Sequence, residues 1–169
     1  MIGHPGKKLL FMGQEFGQWN EWNENQELDW NLLEYETHQQ LKLFVRALLQ
    51  LYRKNAALFD QETNWEGFEW INADDAERSI FSFIRHSKDG KKNLVFLCNF
   101  TPVAYEDYAF GMPEKKRLKL LIDSDDVQYG GAGQFTRTKT MTPKAIECDG
   151  MPYRAEFALP AYGTAVFQY

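Results

Sequence analysis

The chain has 169 residues, of which 44% are hydrophobic and 25% are charged, values typical of a globular domain. Its formal net charge is −5, from 24 acidic and 19 basic residues. No long basic run is present, which argues against nucleic-acid binding. No stretch approaches the roughly 20 apolar residues of a membrane span, and no signal-peptide core is visible. We therefore expect a cytoplasmic protein in which Cys98 and Cys148 are reduced.

The N-terminal third combines a short apolar run, a polar loop and a helical pattern. Residues 7–12 contain the apolar run, closed by Gly13, which predicts a strand buried on both faces as in a parallel sheet. Residues 14–30 are polar and lack a clean period, which predicts a long loop, and such loops are usually functional. Thr37 and Gln40 match a capping box. Apolar side chains at helical spacing then predict a helix over about residues 37–54.

The rest of the chain has the pattern of short strands separated by turns. The predicted strands cover residues 68–71, 79–86, 93–100, 105–110, 117–122, 144–148, 153–159 and 164–169. Strands at this spacing predict an antiparallel sandwich, with residues 93–100 as the central strand because this stretch is apolar on both faces. Gly130 and the glycines after it lack the Lys-Ser or Lys-Thr of a phosphate loop, which indicates a plain loop.

Motifs that would identify a catalytic or metal site are absent from the sequence. The three histidines have no spacing typical of a metal site, and neither a His-Glu-x-x-His helix nor a Gly-x-Ser-x-Gly elbow occurs. Several acids follow Gly13, but closeness in sequence does not establish the paired geometry that glycoside chemistry needs.

Five tryptophans give the chain a high aromatic content that packing and ligand binding could both explain. For Trp19, Trp22 and Trp30, which lie in the polar loop, the sequence leaves both packing and sugar stacking open. Trp65 and Trp70 flank the first predicted sandwich strand, and we expect them in the core or at a domain interface.

Several long and unusually composed motifs carry a family resemblance. Residues 6–18 read GKKLLFMGQEFGQ, and residues 21–23 and 28–30 add EWN and LDW. Residues 67–77 read GFEWINADDAE, residues 99–102 read NFTP, and residues 129–133 read YGGAG. Together these motifs cover nearly the whole chain, which resembles the bacterial glycogen branching enzymes of the α-amylase clan, glycoside hydrolase family 13.

The resemblance implies that the chain is a C-terminal fragment of such an enzyme. Residues 1–60 would be the remnant of a (β/α)8 barrel, with its last strand, loop and helix, and residues 61–169 would be the C-terminal antiparallel β-sandwich. The implied fold class is therefore mainly β. Active sites of such barrels lie at the C-terminal ends of the strands. We therefore expect the loop to form part of the cleft wall through four side chains: Gln14, Glu15, Trp19 and Trp22.

The resemblance also implies the chemistry of the parent enzyme. A carboxylate attacks an α-1,4 linkage with retention, and a sugar 6-hydroxyl then accepts the chain to form an α-1,6 branch. The family's catalytic carboxylates lie on earlier strands, upstream of Met1. We therefore expect no catalytic residue, metal site or cofactor in this chain.

The expected partners are the missing barrel domain and an α-glucan. A dimer could also form through the bare edges of the strand predicted at residues 7–12. Two alternative functions stay open at this point: an independent α-glucan-binding module and a purely structural domain.

Overall fold

A computed structural model describes residues 1–134 and 138–169 as two antiparallel sheets and one long helix. The helix, α1, spans Glu36–Lys54. The strands are β1 (Phe68–Asn72), β2 (Ile80–Arg85), β3 (Leu94–Asn99), β4 (Tyr105–Met112), β5 (Leu118–Asp123), β6 (Thr140–Met141), β7 (Tyr153–Leu159) and β8 (Thr164–Gln168). Short 3-10 helices span Trp30–Glu34, Ala56–Leu58, Trp65–Gly67 and Val127–Tyr129.

The two sheets have six and two strands. The larger sheet has the order β1-β2-β3-β8-β5-β6, and β4 pairs with β7 in the smaller one. Every paired strand is antiparallel to its neighbour. Within β3, Leu97 lies opposite Ser82 of β2 and Ala165 of β8. The expected antiparallel sandwich and the central position of β3 are therefore confirmed.

The main core fills the space between the two sheets. The Phe167 ring of β8 lies 4.9 Å from that of Phe157 in β7 and 6.3 Å from that of Phe110 in β4. All three rings are buried. The side chains of β7 alternate between the core and the surface, because Ala155 and Phe157 are buried while Glu156 between them is exposed. Full burial of each phenylalanine side chain contributes about 1.5–3 kcal/mol.

A second apolar layer lies on the outer face of the six-stranded sheet, where α1 packs. Phe44, Leu48 and Leu51 of the helix join Phe83 and Phe96 of the sheet in one cluster. These helix residues are three or four positions apart, so they share one face of α1. The helix predicted from its periodicity is therefore confirmed, with its start one residue earlier than expected.

The capping box predicted at the start of α1 is wrong. The helix begins at Glu36 after Tyr35, and no side chain caps its first amide groups. Thr37 consequently lies inside the first turn, where its hydroxyl is not at the N-cap position. Gln40 donates instead through Nε2 to Oε1 of Glu36 at 3.2 Å. The Glu36 carboxylate suits the positive end of the helix dipole.

The strand predicted over residues 7–12 is also wrong. Residues 7–11 belong to no strand, and residues 12–17 form turns. A strand needs a hydrogen-bonded neighbour, and none of the eight strands in the described residues pairs with this segment. Leu9 is 73% exposed, so the apolar run is not buried on both faces. The dimer predicted through this segment therefore lacks the strand that it needs.

The strand predicted over residues 144–148 is reduced to two isolated bridges, one of which joins Cys148 to Met151. Asp149 and Gly150 have φ angles of 50° and 71° and turn the chain immediately after this segment. These angles suit a two-residue hairpin turn, which the Cys148–Met151 bridge closes. Further along, the Ile146 amide donates to the Lys144 carbonyl of its own segment at 2.9 Å, so no continuous ladder forms. β6 was not predicted, because two residues are too few to show a period.

Trp65 and Trp70 were expected either in the core or at a domain interface. Neither is a core residue. Trp65 is 94% exposed and Trp70 is 43% exposed. Trp65 lies in the 3-10 helix that precedes β1, and β1 is the edge strand of its sheet. Side chains at this edge have fewer neighbours to cover them.

Candidate functional site

The N-terminal loop, residues 11–30, begins with two tight turns. Gly13 has a φ of 84°, and a Cβ at this position would lie 2.8 Å from Cβ of Gln18. Both facts require glycine, because other side chains rarely adopt this backbone conformation. The Gln14 amide donates to the Phe11 carbonyl at 2.9 Å, and Gln14 Oε1 accepts from the Phe11 amide at 2.8 Å. The side chain of Gln14 is therefore held against the backbone at the loop entrance.

Two side chains connect the early and late parts of the loop. Gln18 Oε1 accepts from the Asp29 amide at 2.9 Å. Asn20 donates through Nδ2 to Asp29 Oδ2, also at 2.9 Å. These bonds close the loop on itself although it contains no strand and no α-helix.

The loop is attached to α1 by one buried ring and one histidine. Phe16 is fully buried, with its ring 5.3 Å from that of Trp30. His38 Nδ1 lies 2.8 Å from the Phe16 carbonyl oxygen, so this nitrogen carries the proton and donates it. The Trp19 ring lies 5.4 Å from the His38 ring in an edge-to-face contact. The helix therefore determines where the loop presents Trp19.

The loop encloses a surface cleft of about 430 Å³. Trp19 is 75% exposed and Trp22 is 41% exposed, with the Trp22 ring 5.8 Å from Phe11 in an edge-to-face contact. Exposed rings beside amide groups can stack on the apolar faces of a sugar and hydrogen-bond to its hydroxyls. The lining residues are Phe11, Met12, Gly13, Gln14, Gln18, Trp19, Asn20, Glu21 and Trp22.

Three of the four predicted site residues lie together in this cleft. Gln14, Trp19 and Trp22 line it, whereas Glu15 lies in a different hollow beside Lys42 and other residues of α1. The sequence interpretation did not single out Gln18, Asn20 or Glu21. Gln18 and Glu21 belong to the motifs that carry the family resemblance, which was the available signal.

A partly buried group of charged and aromatic side chains attaches the segment before the loop to the rest of the domain. Lys8 Nζ lies 3.0 Å from Glu62 Oε1 and 5.4 Å from the centre of the Tyr52 ring. The Tyr52 hydroxyl donates to the same carboxylate oxygen at 3.2 Å. Desolvation, with the neighbouring Glu62 carboxylate, raises the pKa of Tyr52. This contact connects the N-terminal segment to both α1 and the stretch before β1.

The titratable groups of the described residues form no metal centre. Among residues 1–134 and 138–169, no group of three His, Cys, Asp or Glu side chains could hold a metal ion. Cys98 and Cys148 are free thiols, as expected, and burial raises the pKa of each. None of the helices in the same residues combines the length and apolarity that a membrane span needs.

Comparison with known proteins agrees with the motifs. The family described as alpha amylase, C-terminal all-beta domain, matches residues 70–169. The 1,4-alpha-glucan branching enzyme GlgB of Butyrivibrio fibrisolvens is 47% identical over 167 residues, which are 99% of this chain and 26% of that protein. The corresponding enzyme of Halothermothrix orenii is 44% identical over 168 residues, with the same coverage.

A third relative matches the same share of the chain. The branching enzyme GlgB of Francisella tularensis subsp. novicida is 43% identical over 170 residues, again 99% of this chain and 26% of that protein. The chain thus spans about a quarter of the length of the curated relatives it matches. It belongs to the alpha amylase C-terminal all-beta domain family and is homologous to the C-terminal region of 1,4-alpha-glucan branching enzymes.

Proposed function

We propose that the chain is the non-catalytic C-terminal portion of a cytoplasmic 1,4-α-glucan branching enzyme, which transfers α-1,4-glucan segments to form α-1,6 branches. Similarity over 99% of the chain supports this proposal. In it, residues 1–60 are the last part of the catalytic barrel and residues 61–169 are the sandwich. The retaining catalytic carboxylates belong to the part of the enzyme that this chain does not cover.

The observation that carries the proposal furthest is the cleft of the N-terminal loop. Gln14, Trp19 and Trp22 line one cavity with further amide groups, and hydrogen bonds within the loop hold their positions. We propose that this cleft contacts the α-glucan that the complete enzyme binds. Glu15 lies outside the cleft, and Gln18 takes its place in the proposed set.

Titration of the chain with maltoheptaose is expected to give a saturable change in tryptophan fluorescence. Trp22→Ala should weaken binding about two- to tenfold, because it removes one ring from the sugar-facing wall. Trp65→Ala is the matched control, since this ring is 94% exposed and lies outside the cleft.

Two outcomes of the titration would contradict glucan binding in the cleft. A flat response to millimolar sugar would leave the module as a structural support for the rest of the enzyme. Weakened binding in Trp65→Ala, with Trp22→Ala unchanged, would favour an independent glucan-binding module that uses another surface.

An iodine assay with amylose tests the non-catalytic role. The chain alone should leave the iodine absorbance unchanged. Joined to the preceding residues of the Butyrivibrio fibrisolvens enzyme in place of that enzyme's matched region, it should support a decrease. A decrease caused by the isolated chain would contradict the proposal, as would an inactive but folded chimera.

A further inference from the structure

His38 is a buried titratable side chain that the proposed glucan contact does not use. It lies in the first turn of α1 and is 8% exposed. It is not among the residues that line the cleft of the N-terminal loop. Its contacts nevertheless reach that cleft through Trp19, whose ring lies against the imidazole.

The imidazole is held by both the loop and the start of the helix. Its Nδ1 donates to the Phe16 carbonyl at 2.8 Å, and this carbonyl belongs to a fully buried residue of the loop. The Tyr35 ring lies 6.3 Å away, and the Tyr35 carbonyl accepts from the His38 amide at 3.2 Å. A side-chain hydrogen bond fixes the orientation of a histidine ring. The plane of the His38 imidazole is therefore set before any ligand binds.

A close approach of backbone to helix brings Trp19 to this imidazole. Gly17 has a φ of 70°, and a Cβ there would lie 2.7 Å from Cδ2 of Leu41 on α1. Glycine is required at such a position, because a larger residue would push the loop away from the helix. Trp19 follows two residues later and is thereby placed beside His38.

The contact with His38 is edge-to-face, with 5.4 Å between the ring centroids and 63° between the planes. This arrangement is favourable for aromatic rings. Trp19 is 75% exposed, and exposed side chains otherwise change rotamer within picoseconds to nanoseconds. A mobile ring would have to be ordered when a ligand binds, which weakens binding about two- to tenfold per side chain.

We propose that His38 is a positioning residue of the glucan cleft, which holds the Trp19 indole in the orientation that stacks on the sugar. The inference rests on the proposed function, because the cleft is the proposed glucan contact. His38 itself does not touch the sugar. It acts by lowering the conformational entropy that Trp19 loses on binding.

His38→Asn separates the two contacts of the imidazole. The amide nitrogen of asparagine can donate to the Phe16 carbonyl in place of Nδ1, whereas the ring beside Trp19 is lost. The dissociation constant for maltoheptaose should rise about two- to tenfold. In a Trp19→Ala chain the same substitution should leave the dissociation constant unchanged. His86→Asn is the matched control, since His86 pairs with Glu69 and lies outside the cleft.

A measurement without sugar tests the positioning role directly. The contribution of Trp19 to the near-ultraviolet circular dichroism is the difference between chains with and without Trp19→Ala. This signal requires a fixed aromatic side chain, so it should fall by roughly half or more in His38→Asn. It should stay the same in His86→Asn. An unchanged Trp19 signal in His38→Asn would overturn the inference, as would a dissociation constant that rises equally with and without Trp19.

The wild-type chain provides a test that does not depend on the folding of a variant. The NMR order parameter of the Trp19 indole N–H should exceed about 0.8, a value typical of rigid groups. That of Trp65, which is 94% exposed, should lie below about 0.6. A Trp19 indole as mobile as that of Trp65 would overturn the inference.

Failure of the proposed function would give a different pattern. A flat titration of the wild-type chain with maltoheptaose would contradict the proposed glucan contact, while the near-ultraviolet signal would still show whether His38 holds Trp19. Saturable binding by wild type, with an unchanged dissociation constant in His38→Asn, would overturn the positioning role and leave the glucan contact in place.

Discussion

Replacing Phe167 by alanine is expected to lower the free energy of unfolding by about 3–5 kcal/mol, the usual loss for a large core aromatic side chain. Phe167 has no exposed surface and contacts rings from both strands of the smaller sheet, Phe110 and Phe157. The substitution would leave a cavity where the two sheets meet. Urea unfolding followed by circular dichroism measures the effect.

The control for this prediction is Phe100→Ala, which removes the same number of atoms from a ring that is 64% exposed. Its effect on the free energy of unfolding of the isolated chain should stay within about 0.5 kcal/mol. If Phe167→Ala cost no more than Phe100→Ala, the two sheets would not share the core described above.

Asn99→Asp is expected to lower the free energy of unfolding by about 3 kcal/mol or more at pH 7, because it buries an unpaired charge. The substitution changes only the amide nitrogen to an oxygen. Asn99 is buried, and its Nδ2 donates to the carbonyls of Val103 at 2.7 Å and Pro160 at 2.9 Å. A carboxylate would have no proton to donate to either oxygen, and a buried charge would face two acceptors. The other amide atom, Oδ1, accepts from Thr101 and would be retained.

The pH dependence of the Asn99→Asp variant gives a sharper test than its stability at one pH. Protonation of the new carboxyl restores one donor and removes the charge, so its folded form holds the proton more tightly than its unfolded form. The loss relative to wild type should therefore be smaller at pH 4 than at pH 7. Asn25→Asp, at an exposed site, should change stability by less than about 0.5 kcal/mol. A loss of equal size at both pH values would contradict the assigned donor role.

The hydrogen bonds of Asn99 also give a structural role to the motif at residues 99–102. Asn99 ends the central strand, and its side chain connects the segment before β4 to the turn between β7 and β8. The motif residues Asn99 and Thr101 are therefore part of a hydrogen-bonded junction between the two sheets.

The candidate site was only partly predictable. The family resemblance predicted Trp19 and Trp22 as cleft residues, whereas composition alone left packing and sugar stacking open, and both rings line the cleft. Glu15 follows Gln14 directly, yet the turn at Gly13 sends the two side chains to different surfaces. Such a separation depends on backbone angles, which the order of residues does not reveal.

By itself, the sequence determined the helix and most of the sandwich strands, because periodicity and turn residues act over a few neighbouring positions. The family followed from the long motifs that carry the resemblance. Tertiary structure decided the state of residues 7–12, where an apolar run found no neighbouring strand and stayed outside both sheets. It also decided the exposure of Trp65, Phe81 and Phe100. Exposure depends on which distant segments cover a side chain, and that is a property of the assembled fold.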